Sequence, residues 1–446
     1  MKRPIPVPKE SSRTPHFWLW IYQIFLVLFG LAYLSLRLIR GRLLPGFKER
    51  LALYGRMLRQ EMRRLNHPIW IHLVSVGEVL AAQPLVEELR RRFPERNWVI
   101  TTVTFTGRSL AKRLVREGRD LLLYLPWDLT PVVRRAAQTL QPCLFLSFET
   151  ELWPILFHEL GRSGIPIAVV NGRISPSAYP RYLWIRPWME KVLDPVSLFL
   201  TQSPQDARRY AAIGASKDRI TVTGNLKWDL RGTAANGLPP EQARQILGLS
   251  PQSVLWTAGS THSGEDAPIL QAYLLLKREF PQLRLLVAPR HPERVAEVEQ
   301  QARRLGLNAV RRTASEKAGD AVIVLDTLGE LTHFYQASDL VFVGGSLVPH
   351  GGHNLVEPAF FRRPILAGPH LFNFSTIAEQ LAQAGALVVV QSPKELEEAV
   401  RRLLRDSGTA RQMGSRAWQV VEAHRGATDR TADLIDLRWG GVLIRA

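Results

Sequence analysis

The feature that most constrains this chain is a rhythm. From Pro68 onward, short continuous apolar runs alternate with stretches of helical period: IWIHLV, a helix over Glu78 to Arg92, WVITTVT, then a helix from Arg108 to Arg116. LLLYLP, CLFLSF, IPIAVVN, SLFLTQ and ITVTG continue the series. Strands whose apolar residues do not alternate with polar ones are buried on both faces, the condition of a parallel sheet covered by helices. Arg231 to Pro240, RGTAANGLPP, loses the rhythm to Gly, Pro and Asn and reads as a linker. A second series follows with VLWTAGS, LRLLVAP, AVIVLD, LVFVGGS, PILAGP and ALVVV. The pattern predicts two doubly wound α/β halves, 65–230 and 246–446, joined by a linker 231–245 and preceded by a segment 1–64. In such sheets ligands bind outside the strand carboxyl ends, so a cleft lined by those ends is the expected site.

With 446 residues, 46% apolar and 22% charged, the chain can bury two cores and is neither disordered nor fibrous. Its single cysteine, Cys143, excludes an internal disulfide and any multi-thiolate metal site. The net charge of +18 raises nucleic acid as a partner, but residues 1–64 alone contribute +10 of it, from 13 basic and 3 acidic side chains. They flank Phe17–Leu36, 20 uncharged residues with Trp18, Trp20 and Tyr22 at one end. Clustered cations beside such a run point to an anionic membrane surface and away from a nucleic acid. The run has the length of a transmembrane helix, and Arg37, Arg40, Arg42, Lys48 and Arg50 after it put the body of the protein in the cytoplasm. A helix lying in the interface is the rival reading, and either one makes an anchor.

Polar motifs fall at the predicted strand ends. Ser75-Val76-Gly77-Glu78 has the spacing of a capping box, and its carboxylate is equally placed to take a proton from a hydroxyl. Glu149-Thr150-Glu151, before Trp153-Pro154, suits an acid/base pair, a metal site or plain loop surface. Lys227 closes the first half, where a cation suits a phosphate or carboxylate, although a solvated lysine is the commoner case. In the second half Gly259–Glu265, Ala288–Arg294, Asp326–Leu331 and Gly344–Pro358 supply glycines, backbone donors, arginine and histidine suited to an anionic ligand. His350 and His353 invite a metal reading for which spacing offers no third ligand. There is no Asp-x-Asp to hold a divalent cation on a pyrophosphate and no G-x-x-x-x-G-K-[ST] loop, so neither a metal nor another cofactor is expected.

In this order the motifs HLVSVGEVLAAQPL, FETELWP, VTGNLKWD, STHSGE, APRHPER, DTLGEL, FVGGSLVPHGGHNLVEP and AGPHLFNF resemble those of the 3-deoxy-D-manno-octulosonic acid (Kdo) transferases of lipopolysaccharide core assembly. The resemblance runs from about Arg40 to about Arg430. It implies the glycosyltransferase B (GT-B) fold of two Rossmann-like domains, an acceptor domain first and a donor domain second. It also implies inverting transfer of Kdo from CMP-Kdo to the lipid A precursor on the cytoplasmic side of the bacterial inner membrane. Carried over by motif, Glu78 is the general base, and Glu149 and Lys227 stabilise the transition state. Pro289, Arg290, Leu328, Gly329, Glu330, Asn354, Leu355, Val356 and Glu357 form the CMP site. The pattern departs at Ile155, where the family usually has Asn, and at Trp228, where it usually has Phe. A sugar-nucleotide epimerase of the same fold is the alternative activity.

Overall fold

The computed structural model describes residues 17–39, 45–229, 238–314 and 319–445. Two units form: residues 1–226 with 427–446, and residues 227–426.

The first unit is built on a seven-stranded parallel sheet. Its strands are β1 (Ile69–His72), β2 (Trp98–Thr102), β3 (Leu121–Tyr124), β4 (Leu144–Phe148), β5 (Ile167–Gly172), β6 (Leu198–Thr201) and β7 (Ile220–Val222). They lie in the order β3-β2-β1-β4-β5-β6-β7, which reverses direction between β1 and β4. Alternation explains the continuous apolar runs: Ile69 and Ile71 bury into one core while Trp70 buries into the other. Leu144 and Leu146 against Phe145 repeat the pattern on β4, in register with β1 through Ile71↔Leu146. Ile155, one of the two motif departures, is a fully buried core residue.

The C-terminal helix Ala427–Arg445 corrects the expected boundaries. By sequence order it falls in the second half, yet Ala427, Ala432, Ile435, Trp439 and Leu443 pack in the first unit's core. Polar contacts fix it there: Arg92 pairs with Asp433 at 2.8 Å, and Arg96 donates to the Val442 carbonyl at 3.0 Å. Part of the expected linker is also ordered, since Pro240–Ile246 is a helix of the second unit. The rest of it, residues 231–237, lies outside the described residues.

The apolar run forms a helix, Phe17–Ile39, as its composition requires. The expectation of a membrane-spanning anchor is not supported: among the described residues no helix is long and apolar enough to cross a membrane. One side of the helix is committed to the domain. Trp18 and Leu19 bury in the first core, the Tyr22 hydroxyl donates to Asp128 Oδ2 at 3.0 Å, and Gln23 Oε1 accepts from the Thr130 amide at 3.0 Å. Asp128 also accepts from the amides of Ile155 and Leu156, at 3.1 and 2.7 Å, and so caps the helix Pro154–Arg162 from a distance. Burial pushes this carboxyl up to about 6 against those hydrogen bonds. Lys2, Arg3, Lys9, Arg13, Arg40 and Arg42 lie outside the described residues.

The second unit repeats the plan with β8 (Val254–Thr261), β9 (Leu283–Pro289), β10 (Ala309–Arg311), β11 (Val322–Val324), β12 (Leu340–Val343), β13 (Ile365–Ala367) and β14 (Leu387–Val389). The order is β10-β11-β9-β8-β12-β13-β14, with the reversal between β8 and β12. Trp228, the other departure, is buried and stacks on His424 at 5.0 Å.

Candidate active site

In a doubly wound sheet the strand order reverses where neighbouring crossovers leave on opposite faces, and the loops there open a crevice. In the first unit the crevice lies at the ends of β1 and β4, where the sequence places Ser75–Glu78 and Glu149–Glu151. Ser75 is the N-cap of the helix Val76–Arg92 and its hydroxyl accepts from the Glu78 amide at 3.4 Å. The Glu78 carboxylate reaches back to accept from the Val74 amide at 2.7 Å. The capping geometry is therefore real, and it fixes the carboxylate of a buried residue at the crevice. Capping and proton transfer are compatible, because Oε2 takes the amide and a carboxylate keeps further lone pairs.

The turn after β4 is held on four sides. The Glu149 amide donates to the Val170 carbonyl at 3.0 Å, and the buried Tyr210 hydroxyl donates to the Glu149 carbonyl at 3.0 Å. Thr150 Oγ1 donates to the Arg173 carbonyl at 2.7 Å, and Ser147 Oγ donates to the Glu151 carbonyl. Glu149 adopts the left-handed conformation, φ 54°, a strain that a glutamate bears only where its surroundings enforce it. Beside it, burial pushes the Glu151 carboxyl up to about 7 against the Trp153 side chain, which favours the charged form, and the Glu149 charge adds to the rise. Glu151 Oε2 is 3.9 Å from Nε2 of the fully buried His72, whose imidazole burial holds down to about 3.

In the second unit the corresponding crevice lies at β8 and β12. The Gly344–Ser346 turn was expected to offer its amides to a ligand, but they hold a carboxylate of the chain itself. Glu265, fully buried, accepts from the amides of Gly345, Ser346 and Leu347 at 2.6, 2.9 and 2.9 Å and from that of His262 at 2.9 Å. Gly344 is obligatory here: a Cβ would sit 2.5 Å from the Ser260 carbonyl oxygen. Those four amides are therefore taken by the chain itself, and the charged group that follows β9 is Arg290. The charge of Arg290 acts on His262, His353 and Glu357. His262 Nε2 is 2.9 Å from His353 Nε2, and its ring stacks on His350 at 4.1 Å. Burial and these cationic neighbours hold His262 down to about 4 and His353 to about 3. Asn354 bridges its helix start, donating to Glu357 Oε1 at 3.1 Å and accepting from the Val356 amide at 3.0 Å. Burial raises the Glu357 carboxyl.

Of the residues anticipated from sequence, Arg290, Asn354 and Glu357 are brought together with Pro289, which ends β9. Leu328, Gly329 and Glu330 follow β11, next to β9. Leu328 is exposed, Gly329 is left-handed at φ 87°, and Glu330 accepts from Arg312 and Thr327. Leu355 and Val356 differ from expectation: both side chains are wholly buried in the core, so only backbone there can meet a ligand. Lys227 also differs. It was expected to complete the first half with Glu78 and Glu149, but it belongs to the second unit, buried, with Nζ 5.8 Å from the Phe374 ring centre. Sequence reasoning missed His72, whose only signal was a histidine inside an otherwise apolar run, and the part His262 plays beside His350 and His353. Among the described residues no group of three or more His, Cys, Asp or Glu side chains is placed to hold a metal ion.

Comparison with known proteins agrees with both halves. Residues 45–230 match the family model for 3-deoxy-D-manno-octulosonic-acid transferase, and residues 268–420 match that for glycosyl transferases group 1. The chain is 37% identical over 374 residues to a 3-deoxy-D-manno-octulosonic acid transferase of Haemophilus influenzae, covering 82% of this chain and 86% of that protein. It is 33% identical over 438 residues to the enzyme of the same description from Bordetella pertussis, covering 95% and 96%. Among solved structures, UDP-GlcNAc 2-epimerase from Neisseria meningitidis bound to UDP-GlcNAc superimposes with a TM-score of 0.55 at 12% identity, over 82% of this chain and 100% of that one. That likeness shows the fold alone, the two-sheet GT-B architecture. The activity rests on the close relatives, by which the chain belongs to the Kdo transferase family and is a glycosyltransferase.

Proposed function

We propose that this enzyme transfers Kdo from CMP-Kdo to the lipid A precursor, an acylated glucosamine disaccharide bisphosphate, with inversion at the anomeric carbon. The observation that carries the reading is the pair of crevice motifs in the first sheet, Ser75–Glu78 and Glu149–Glu151, in a chain of the Kdo transferase family. Glu78 takes the proton of the acceptor hydroxyl as its oxygen attacks the anomeric carbon of Kdo. The bond from that carbon to the CMP phosphate oxygen breaks, and CMP departs with the electron pair. Glu149 and Lys227 stabilise the charge that develops. The second unit holds CMP through Arg290, Asn354 and Glu357, the Gly329–Glu330 turn and the backbone at Leu355–Val356. The leaving group carries a single phosphate, which arginine and backbone donors suit without a metal ion.

The same reading puts the enzyme on the cytoplasmic face of the bacterial inner membrane, where its acceptor is embedded. The helix Phe17–Ile39 supports attachment in the plane of the interface, since Phe17, Trp20, Ile24, Phe25 and Leu28 are exposed while Trp18 and Leu19 are docked. Purified protein incubated with CMP-Kdo and the lipid acceptor, with products read by mass spectrometry, tests the transfer. Incubation with a nucleotide sugar and no acceptor separates an epimerase of the same fold.

A further inference from the structure

His72 ends β1 with its ring wholly buried. Its Nδ1 lies 3.1 Å from the Thr101 carbonyl oxygen and 3.1 Å from the Thr101 hydroxyl oxygen. A carbonyl oxygen only accepts, so Nδ1 carries the proton and Nε2 carries the lone pair. Nε2 is buried with no hydrogen-bond partner among the described residues, and the nearest carboxylate oxygen is Glu151 Oε2 at 3.9 Å. A lone pair facing an ionised carboxylate is two acceptors without a proton between them, an arrangement that burial makes costly.

We propose that Glu151 stands in the active enzyme as the neutral carboxylic acid, its proton directed at His72 Nε2, so that Glu149 keeps the only negative charge of that turn. Glu151 is thus a positioning residue, and the assignment rests on reading the turn as part of the acceptor-side catalytic site. Burial favours the neutral form of both partners, raising Glu151 against the Trp153 side chain, which favours its charged form, and lowering His72. The titratable groups facing Glu151 are Glu149 on its own turn, His72 from β1, Tyr182 from the helix Tyr179–Trp184 and Tyr210 from the helix Pro204–Ala212. The charge of Arg50 acts on His72 and disfavours an imidazolium there. A second negative charge at this turn would oppose the acceptor, which is a bisphosphate. Ionisation of Glu151 therefore lowers the transfer rate on the alkaline side of neutrality.

The test is the pH profile of kcat and KM for the full chain from about pH 6 to about pH 9, beside an infrared titration of the neutral-carboxyl stretch over the same range. Glu151→Gln, neutral throughout and able to donate to His72, removes the alkaline decline, so that near pH 9 it outpaces the wild type by roughly tenfold. His72→Gln, whose amide donates to an ionised Glu151, moves the decline to lower pH. In the infrared the wild type shows a carboxyl band lost near neutral pH that Glu151→Gln lacks. Should the Gln variant fail to fold, Glu151→Asp draws the carboxyl away from His72 and shifts band and decline together. A folded Glu151→Gln enzyme that binds CMP-Kdo but is inactive at every pH would overturn the proposal, since Glu151 would then work ionised. So would a wild-type spectrum with no band of its own relative to the variant. A chain that shows the band but never turns over CMP-Kdo would leave the proton where it is placed and refute the transferase reading instead.

Discussion

At the scale of single residues, the site depends on a few groups whose surroundings oppose their intrinsic preferences. Glu78 caps, through its carboxylate, a helix that starts at the crevice. Glu78→Gln can still accept the Val74 amide but cannot take a proton. We expect kcat to fall by ~100-fold to ~10,000-fold while melting temperature and CMP binding stay near wild type. A folded variant with near-normal turnover would reduce Glu78 to its capping role. His72 makes a different demand. Its folded pKa is held to about 3, below the ordinary value of about 6.5, so the unfolded chain takes up the proton first. This contribution is fully present above about pH 6.5 and is lost as the pH falls towards 3. Acid melting curves of His72→Gln should be flatter than those of the wild type across that window. Asp128 has the opposite sign: with its carboxyl raised to about 6, its contribution is largest at low pH and is lost as pH rises through that value. Acid melting curves of Asp128→Asn set beside those of His72→Gln therefore separate the two contributions.

At the scale of elements, the strands were legible because burial on both faces leaves apolar runs that no helix period explains. The crevice loops were legible because their polar residues interrupt those runs at strand ends. Three things were not. Nothing in Ala427–Arg445 says which sheet its apolar face will cover, since an amphipathic helix fits any doubly wound half, and the choice is made by long-range packing against Val76–Arg92. The buried anion Glu265 was invisible because SGE reads as a ligand loop until the amides of Gly345–Leu347 are seen to close on it. The docked side of Phe17–Ile39 was hidden by the uniform hydrophobicity of the run. That docking carries its own prediction: Tyr22→Phe removes the bond to Asp128 and should cost about 1 kcal/mol, read as a lower denaturation midpoint and faster proteolysis of the helix. The exposed side carries another. Replacing Trp20 and Phe25 together by Ser should leave the fold intact and weaken binding to vesicles containing anionic lipid. Unchanged vesicle binding would remove the helix from the proposed interface.

At the scale of the whole molecule, each unit pairs a sheet crevice with one kind of chemistry, carboxylates in the first and an arginine–histidine cluster in the second. This division suits a transferase that must accept a proton from one substrate and support a departing phosphate on the other. It also suits transfer without a metal ion, so a chelator should leave the rate intact; loss of activity in EDTA, restored by magnesium or manganese, would contradict that part of the account. The most direct measurement is the mass of the lipid product. Wild-type protein with CMP-Kdo and the lipid A precursor should yield lipid heavier by one or more Kdo residues with matching release of CMP, and Glu78→Gln should yield almost none. CMP release without any gain in lipid mass, or a Glu78→Gln product equal to that of the wild type, would contradict it.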